Sequence, residues 1–230
     1  MNLRPQTGFT LYEMLITLLV AGILIGIGVP NVMEFQRNGA MTAAANQLVT
    51  GVLMARSKAV GLQAPIGLCF SANPTDPIPV CAPNPVANAQ NLGFVVWVDE
   101  NGNTDASGAR ILTDPTDGNG VIDANELVLM REVAPGGTIR VSANCGYVSY
   151  GTNGWARGAA GLCNPAAGRV MLYCDDRGRR VAAGSLSSAR VVQIDRLGRG
   201  QVFQEATNVA NIGVNWFIAN PLAGVNPTCP

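Results

Sequence analysis

From Phe9 to Val29 the chain carries a single charge, Glu13, in a run otherwise built of apolar and small residues, with Thr10, Tyr12 and Thr17 as mild exceptions. Such a run is long enough to cross a bilayer as a helix, which needs about 20 residues. A carboxylate at the centre of such a helix costs about 2.5–3.5 kcal/mol on insertion scales, and less near an interface. Glu13 therefore needs a compensating partner and is the first candidate functional residue.

The flanks decide what kind of segment this is. A secretory signal puts its small-residue cleavage site after the apolar core. Here the small residue, Gly8, precedes it, and the leader Met1–Gly8 is short and polar with Arg4 as its one charge. That leader fits a cytoplasmic N-terminus. The string Gly8-Phe9-Thr10-Leu11-x-Glu13 resembles the class III signal of type IV pilins and type II secretion pseudopilins. The resemblance implies that prepilin peptidase cuts after Gly8 and methylates Phe9. It also implies that Glu13 offsets the N-terminal amine of a neighbouring subunit during filament assembly. An ordinary signal anchor with a chance glutamate is the bland alternative.

Beyond the anchor lie roughly 200 residues, enough for one domain with its own core. The helix is expected to continue past Pro30 as an amphipathic segment with Val32, Phe35, Leu48, Val52, Leu53 and Ala55 on its apolar positions. Gly61 punctuates its end. The glycines at 22, 26 and 28 and Pro30 weaken it locally; in the pilin family such a stretch can melt on filament assembly, and a static kink is the alternative. The expected organisation is a leader 1–8, a membrane half-helix 9–30, an amphipathic half-helix 31–61 and a periplasmic β-rich domain 62–230 with an irregular tail.

Short apolar, β-branched runs follow the helix: 64–70, 93–98, 127–130, 138–141, 148–150, 169–174, 190–195 and an edge strand at 200–203. The five prolines between Asn73 and Asn91 mark that segment as a loop. One long helix followed by many strands predicts an α+β fold with the helix laid across an antiparallel sheet. The string Gly93-Phe-Val-Val-Trp-Val-Asp-Glu-Asn-Gly-Asn103 resembles minor pilins and pseudopilins of the H type, the GspH/FimT family. So do Leu53–Ala59, Cys174-Asp-Asp-Arg-Gly178 and Arg190-Val-Val-Gln-Ile-Asp-Arg-Leu-Gly-Arg199. The resemblance spans residues 1 to about 203 and implies a pilin-like fold.

Six cysteines, Cys69, Cys81, Cys145, Cys163, Cys174 and Cys229, follow the membrane segment. An even count there suggests disulfides in an oxidising compartment such as the periplasm. Local closure favours Cys69–Cys81 and Cys145–Cys163, leaving Cys174 with Cys229, among 15 connectivities that six cysteines allow. With no histidine and no C-x-x-C, zinc is unsupported.

Net charge is zero but unevenly spread. Asp99 to Glu132 holds eight acids against Arg110 and Arg131, whereas Arg140 to Arg199 holds nine arginines against Asp175, Asp176 and Asp195. The second stretch is expected to form a guanidinium-rich surface. Within the acidic stretch, Asp114, Asp117, Asn119, Asp123 and Glu126 approximate the ligand spacing of a calcium loop around Gly120, although Pro115 stands where the first ligand belongs. The upstream Asp99-x-Asn101-x-Asn103-x-Asp105 has similar spacing and lacks the final acid. Solvated Asx-rich turns explain both equally simply. Arg177, Arg179, Arg180, Arg196 and Arg199 form a candidate phosphate-contacting set for DNA. In the family a basic Gly-Arg-x-Arg turn suits DNA capture, and Gly198-Arg199-Gly200-Gln201 lacks its second arginine. A protein interface is the competing use of those arginines.

No histidine, Ser-x-x-Lys or P-loop is present, and no cofactor is required. The expectation is a non-enzymatic minor pilin of a type IV pilus, which primes assembly and sits near the tip, with a contribution to DNA uptake or adhesion as an option. Its partners would be other minor pilins, the major pilin, prepilin peptidase and the inner membrane, with DNA and calcium as options. It would be single-pass in the inner membrane and then carried to the cell surface in the pilus. An H-type minor pseudopilin of a type II secretion system is the alternative.

Overall fold

The structure, a computed structural model, describes residues 10–83, 86–99, 119–157, 169–178, 186–195 and 197–205. The chain divides into two compact units between Gly39 and Ala40. The helix α1 (Leu11–Leu62) contributes to both.

In the first unit α1 runs through Pro30 without interruption. Pro30 lacks an N–H donor. One residue on, Asn31 Nδ2 donates to the Ile27 carbonyl oxygen at 3.0 Å, adding a side-chain bond to that turn. The apolar side chains from Leu11 to Phe35 are exposed around the whole circumference. A helix apolar on every side belongs in lipid or among other helices.

In the second unit the buried positions of α1 are Met41, Ala44, Ala45, Leu48, Gly51, Val52, Ala55 and Ala59. This three-and-four spacing gives one buried stripe. The stripe begins at Met41, later than the sequence suggested. Val32 and Phe35 are exposed, and so is Leu53, which sits one position round from Val52 and falls off the stripe. Alanines dominate it, so the sheets approach closely. A Cβ on Gly51 would lie 2.5 Å from the Phe94 ring.

The strands are β1 (Ile66–Ser71), β2 (Val86–Gln90), β3 (Gly93–Val98), β4 (Val128–Glu132), β5 (Arg140–Ala143), β6 (Tyr147–Tyr150), β7 (Ala156–Arg157), β8 (Arg169–Cys174), β9 (Leu186–Ile194) and β10 (Gly200–Glu205). Among the described residues they form two five-stranded antiparallel sheets, β4-β3-β1-β6-β7 and β10-β9-β8-β5-β2, rather than one. The switch lies at Asn144–Gly146. The Asn144 N–H donates to the Val170 carbonyl oxygen and its Oδ1 accepts the Val170 N–H, holding β5 on β8. Two residues later the Gly146 carbonyl oxygen accepts the Phe70 N–H, starting β6 along β1. The proline-rich segment also yields a strand, β2, because its five prolines all precede Val86. β2 is an edge strand with a register shift against β5. β10 lies at the opposite edge, as expected.

The main core joins the α1 stripe to Ile66, Leu68, Phe70, Phe94 and Val96 of one sheet and Val141, Met171, Tyr173, Val192 and Ile194 of the other. The far face of the first sheet carries a second cluster, in which Cys69, Val95, Trp97, Cys145 and Tyr147 pack with Ile122. Cys69 and Cys81 are bonded, with Cα atoms 5.6 Å apart, as expected. Cys145 and Cys174 are also in disulfides. The expected pairings with Cys163 and Cys229 lie outside the described residues.

Candidate functional site

Thr10 and Glu13 form a reciprocal cap on the first turn of α1. The Thr10 N–H and Oγ1 each approach Glu13 Oε2 at 3.2 Å, and the Glu13 N–H donates to Thr10 Oγ1 at 3.2 Å. This is a Thr-x-x-Glu capping box, which satisfies N–H groups that a helix start leaves unpaired. Within one chain, the carboxylate in the apolar run is thus held by its own helix start. Glu13 stands out in the sequence as the lone charge of the run, whereas Thr10 is marked only by the Thr-x-x-Glu spacing, itself the capping-box signature. Gly8 and Phe9 lie outside the described residues.

The acidic turn is organised by Asp99. Its carboxylate is fully buried at the end of β3 and accepts the Gly120 N–H on both oxygens, at 3.2 and 3.3 Å. It also accepts the Tyr147 phenol. Burial, then the charge of Asp99, pushes the Tyr147 hydroxyl well above its ordinary range. Gly120 adopts φ +75°, a conformation glycine takes without penalty. Asn119 Oδ1 accepts the Val121 N–H at 2.7 Å, and Asn119 Nδ2 lies 3.3 Å from Asp123 Oδ2. Glu126 Oε2 accepts the Asp123 N–H at 2.8 Å, while the Glu126 N–H donates to the Asp123 carbonyl oxygen. Asn119, Asp123 and Glu126 therefore close their own turn. Among the described residues no three carboxylates, histidines or cysteines converge as a metal site. Asp114 and Asp117, the other candidate ligands, lie outside the described residues.

The arginines separate into interior and surface groups. Arg177 is clamped by Asp175, with Nε and NH2 at 2.9 and 2.7 Å from Oδ2, and its side chain is largely buried. Arg199 remains exposed and pairs with Asp195, Nε to Oδ2 at 2.7 Å and N–H to Oδ1 at 2.8 Å. Burial would raise the Asp195 carboxyl. The bonds from the Arg199 backbone and guanidinium outweigh it and hold the carboxyl below its ordinary value. Arg179, Arg180 and Arg196 lie outside the described residues.

Residues 44–198 match the family described as type II transport protein GspH. The match covers well over half of the 230 residues. The chain belongs to the GspH family. Residues 3–29 match the prokaryotic N-terminal methylation motif. Two crystal structures of the type IV minor pilin FimU of Pseudomonas aeruginosa are similar to this GspH-family chain. One is 16% identical, covers 75% of this chain and 94% of FimU, and has a TM-score of 0.39. The other is 15% identical, covers 72% and 94%, and has a TM-score of 0.34. No curated protein matches.

For a GspH-family domain with so many arginines in its second half, their burial matters. Arg169 and Arg190 are buried, so the expected guanidinium-rich surface is reduced. Arg169 Nε donates to the Tyr147 carbonyl oxygen at 3.3 Å and NH2 donates to that of Arg157. Arg190 NH1 donates to the carbonyl oxygens of Ser187 and Ala189 at 2.8 and 3.0 Å. Backbone carbonyls, from remote segments for Arg169 and from its own strand for Arg190, make these burials tolerable. No local pattern in the sequence announces such partners.

Proposed function

We propose that this GspH-family chain is a structural, non-enzymatic minor pilin of a type IV pilus. It is made as a precursor in the inner membrane, cut after Gly8 and methylated on Phe9 by prepilin peptidase. It then packs through α1 among the other minor pilins and the major pilin. It primes assembly and stays near the tip. The observation that carries this reading is the methylation motif over residues 3–29 running into a helix whose apolar side chains are exposed on every face. Such a surface needs lipid before assembly and neighbouring helices after it. Glu13 is the one charge in that run and is the natural partner for an incoming N-terminal amine. In this account the Thr10 cap holds the carboxylate until that amine replaces it.

The second reading, an H-type minor pseudopilin, is favoured by the match of residues 44–198 to the family of type II transport protein GspH. Deletion of the gene separates the two. Loss of surface pili, with normal export of secreted proteins, supports the pilus reading; loss of export with pili intact replaces it with the secretion reading. Glu13→Ala is expected to leave the chain in the membrane and remove it from sheared filaments.

A further inference from the structure

Three segments meet at one end of the second unit: the last turns of α1, the β6–β7 turn and the β9–β10 turn. Arg56 Nε donates to the Gly154 carbonyl oxygen at 3.1 Å, tying α1 to the β6–β7 turn. Tyr150 Oη donates to the Gly198 carbonyl oxygen at 3.2 Å, tying β6 to the β9–β10 turn. A Cβ on Gly198 would lie 2.5 Å from the Tyr150 ring and 3.4 Å from the Ala156 nitrogen, so the two turns touch through backbone. Gly154 and Gly198 both have positive φ, +73° and +79°, which permits this approach.

On this rigid base sit two exposed apolar side chains, Trp155 at 57% and Leu197 at 44% exposure, one residue to either side of the backbone contact. Arg157 and Arg199 are exposed beside them. Arg169 lies buried beneath, bonded to the Arg157 carbonyl oxygen. Of the charged groups described here, Arg56 is half-buried, Arg157 and Arg199 are exposed, and Arg199 pairs with Asp195, so the described accessible charge is net positive.

We propose that this end is a docking surface for a different subunit of the same filament, one that offers an apolar socket for Trp155 ringed by carboxylates. The proposal rests on the filament-subunit reading above. Tryptophan and arginine dominate the energetics of protein interfaces. A surface already fixed by its own hydrogen bonds loses little freedom on binding. The excess of positive charge selects an acidic partner surface. A nucleic-acid backbone is the poorer occupant. Arg199 is already engaged by Asp195 and Arg56 by a carbonyl, and Trp155 and Leu197 together present exposed apolar surface.

The test uses the full chain in its own cells, with a photo-crosslinking amino acid at position 155 and, for comparison, at Val80, another exposed apolar position. The expected result is an adduct from position 155 to a different protein bearing the N-terminal methylation motif, at least about tenfold above that from Val80. Arg157→Glu should weaken that adduct, and Trp155→Ala should reduce recovery of the same partner while leaving the amount of membrane-bound chain unchanged. Equal adducts from both positions in cells where the chain is in filaments would overturn the surface and spare the subunit reading. An adduct joining two copies of this chain, or nuclease-sensitive retention on DNA that Trp155→Ala abolishes, would overturn the proposed partner. A specific adduct in cells whose filaments lack the chain would support the surface and count against the subunit reading.

Discussion

Arg190 on β9 reaches α1: its Nε donates to Thr42 Oγ1 at 3.2 Å across 148 residues of sequence. Its NH1 is held by carbonyl oxygens of its own strand. Burial lowers the pKa of this guanidinium, Arg177 lowers it further, and Asp175 opposes both. The bond crosses between the two halves of the fold that the core must join, helix and second sheet. Arg190→Ala is expected to destabilise the detergent-solubilised chain by about 2–4 kcal/mol, because several buried carbonyls lose their donor at once. Thr42→Ala removes one bond and should cost about 1 kcal/mol. Urea unfolding followed by circular dichroism checks both, and near-equal losses would contradict the ranking.

Gly67 lies under Trp97. The two face each other across β1 and β3, and a Cβ on Gly67 would lie 2.5 Å from the indole. Trp97 is fully buried and cannot swing into solvent. Gly67→Ala should cost about 1–3 kcal/mol through overpacking and shift the tryptophan emission. A neutral substitution with unchanged emission would show that the ring moves freely.

Tyr147, Tyr150 and Tyr173 are buried, and burial is the leading cause that raises each phenol from its usual 10.0. A raised pKa means that the folded state favours the protonated form. The stability this confers is complete below pH 10.0 and is lost as pH climbs from there through the higher folded values. These phenols should therefore ionise together, as the protein unfolds, rather than one by one. An ultraviolet titration run beside circular dichroism checks this; ionisation of all three in the intact fold would contradict it.

The acidic turn from Asn119 to Glu126 closes with its own hydrogen bonds and with Asp99. Chelation of calcium is expected to leave the melting temperature unchanged, whereas Asp99→Ala should lower it by removing the buried acceptor of the Gly120 N–H and the Tyr147 phenol. A chelator-induced drop of several degrees would instead show that a bound metal supports the fold.

What the sequence disclosed followed the range of each interaction. The long apolar helix, the N-terminal methylation motif and most strands were legible because hydrophobic runs and short motifs are local. The Cys69–Cys81 bond was legible because the two cysteines are only 12 residues apart. The division into two sheets was hidden. The apolar runs at 138–141 and 148–150 look like adjacent strands, and only the partners of Asn144 and Gly146 send them to different sheets. β2 was hidden by the prolines before it. The burial of Arg169 and Arg190 was hidden because it depends on remote partners, the Tyr147 carbonyl for one and the Thr42 hydroxyl for the other. Arg177 lost its place among phosphate contacts through Asp175, a neighbour visible in the sequence whose geometry was not.

The most direct test is the mass of the N-terminal peptide of the chain recovered from sheared filaments. The account predicts a peptide that begins at Phe9 and is one methyl group heavier than its unmodified sequence. A chain that keeps Met1–Gly8, or one cut after the apolar run near Val29, would contradict it.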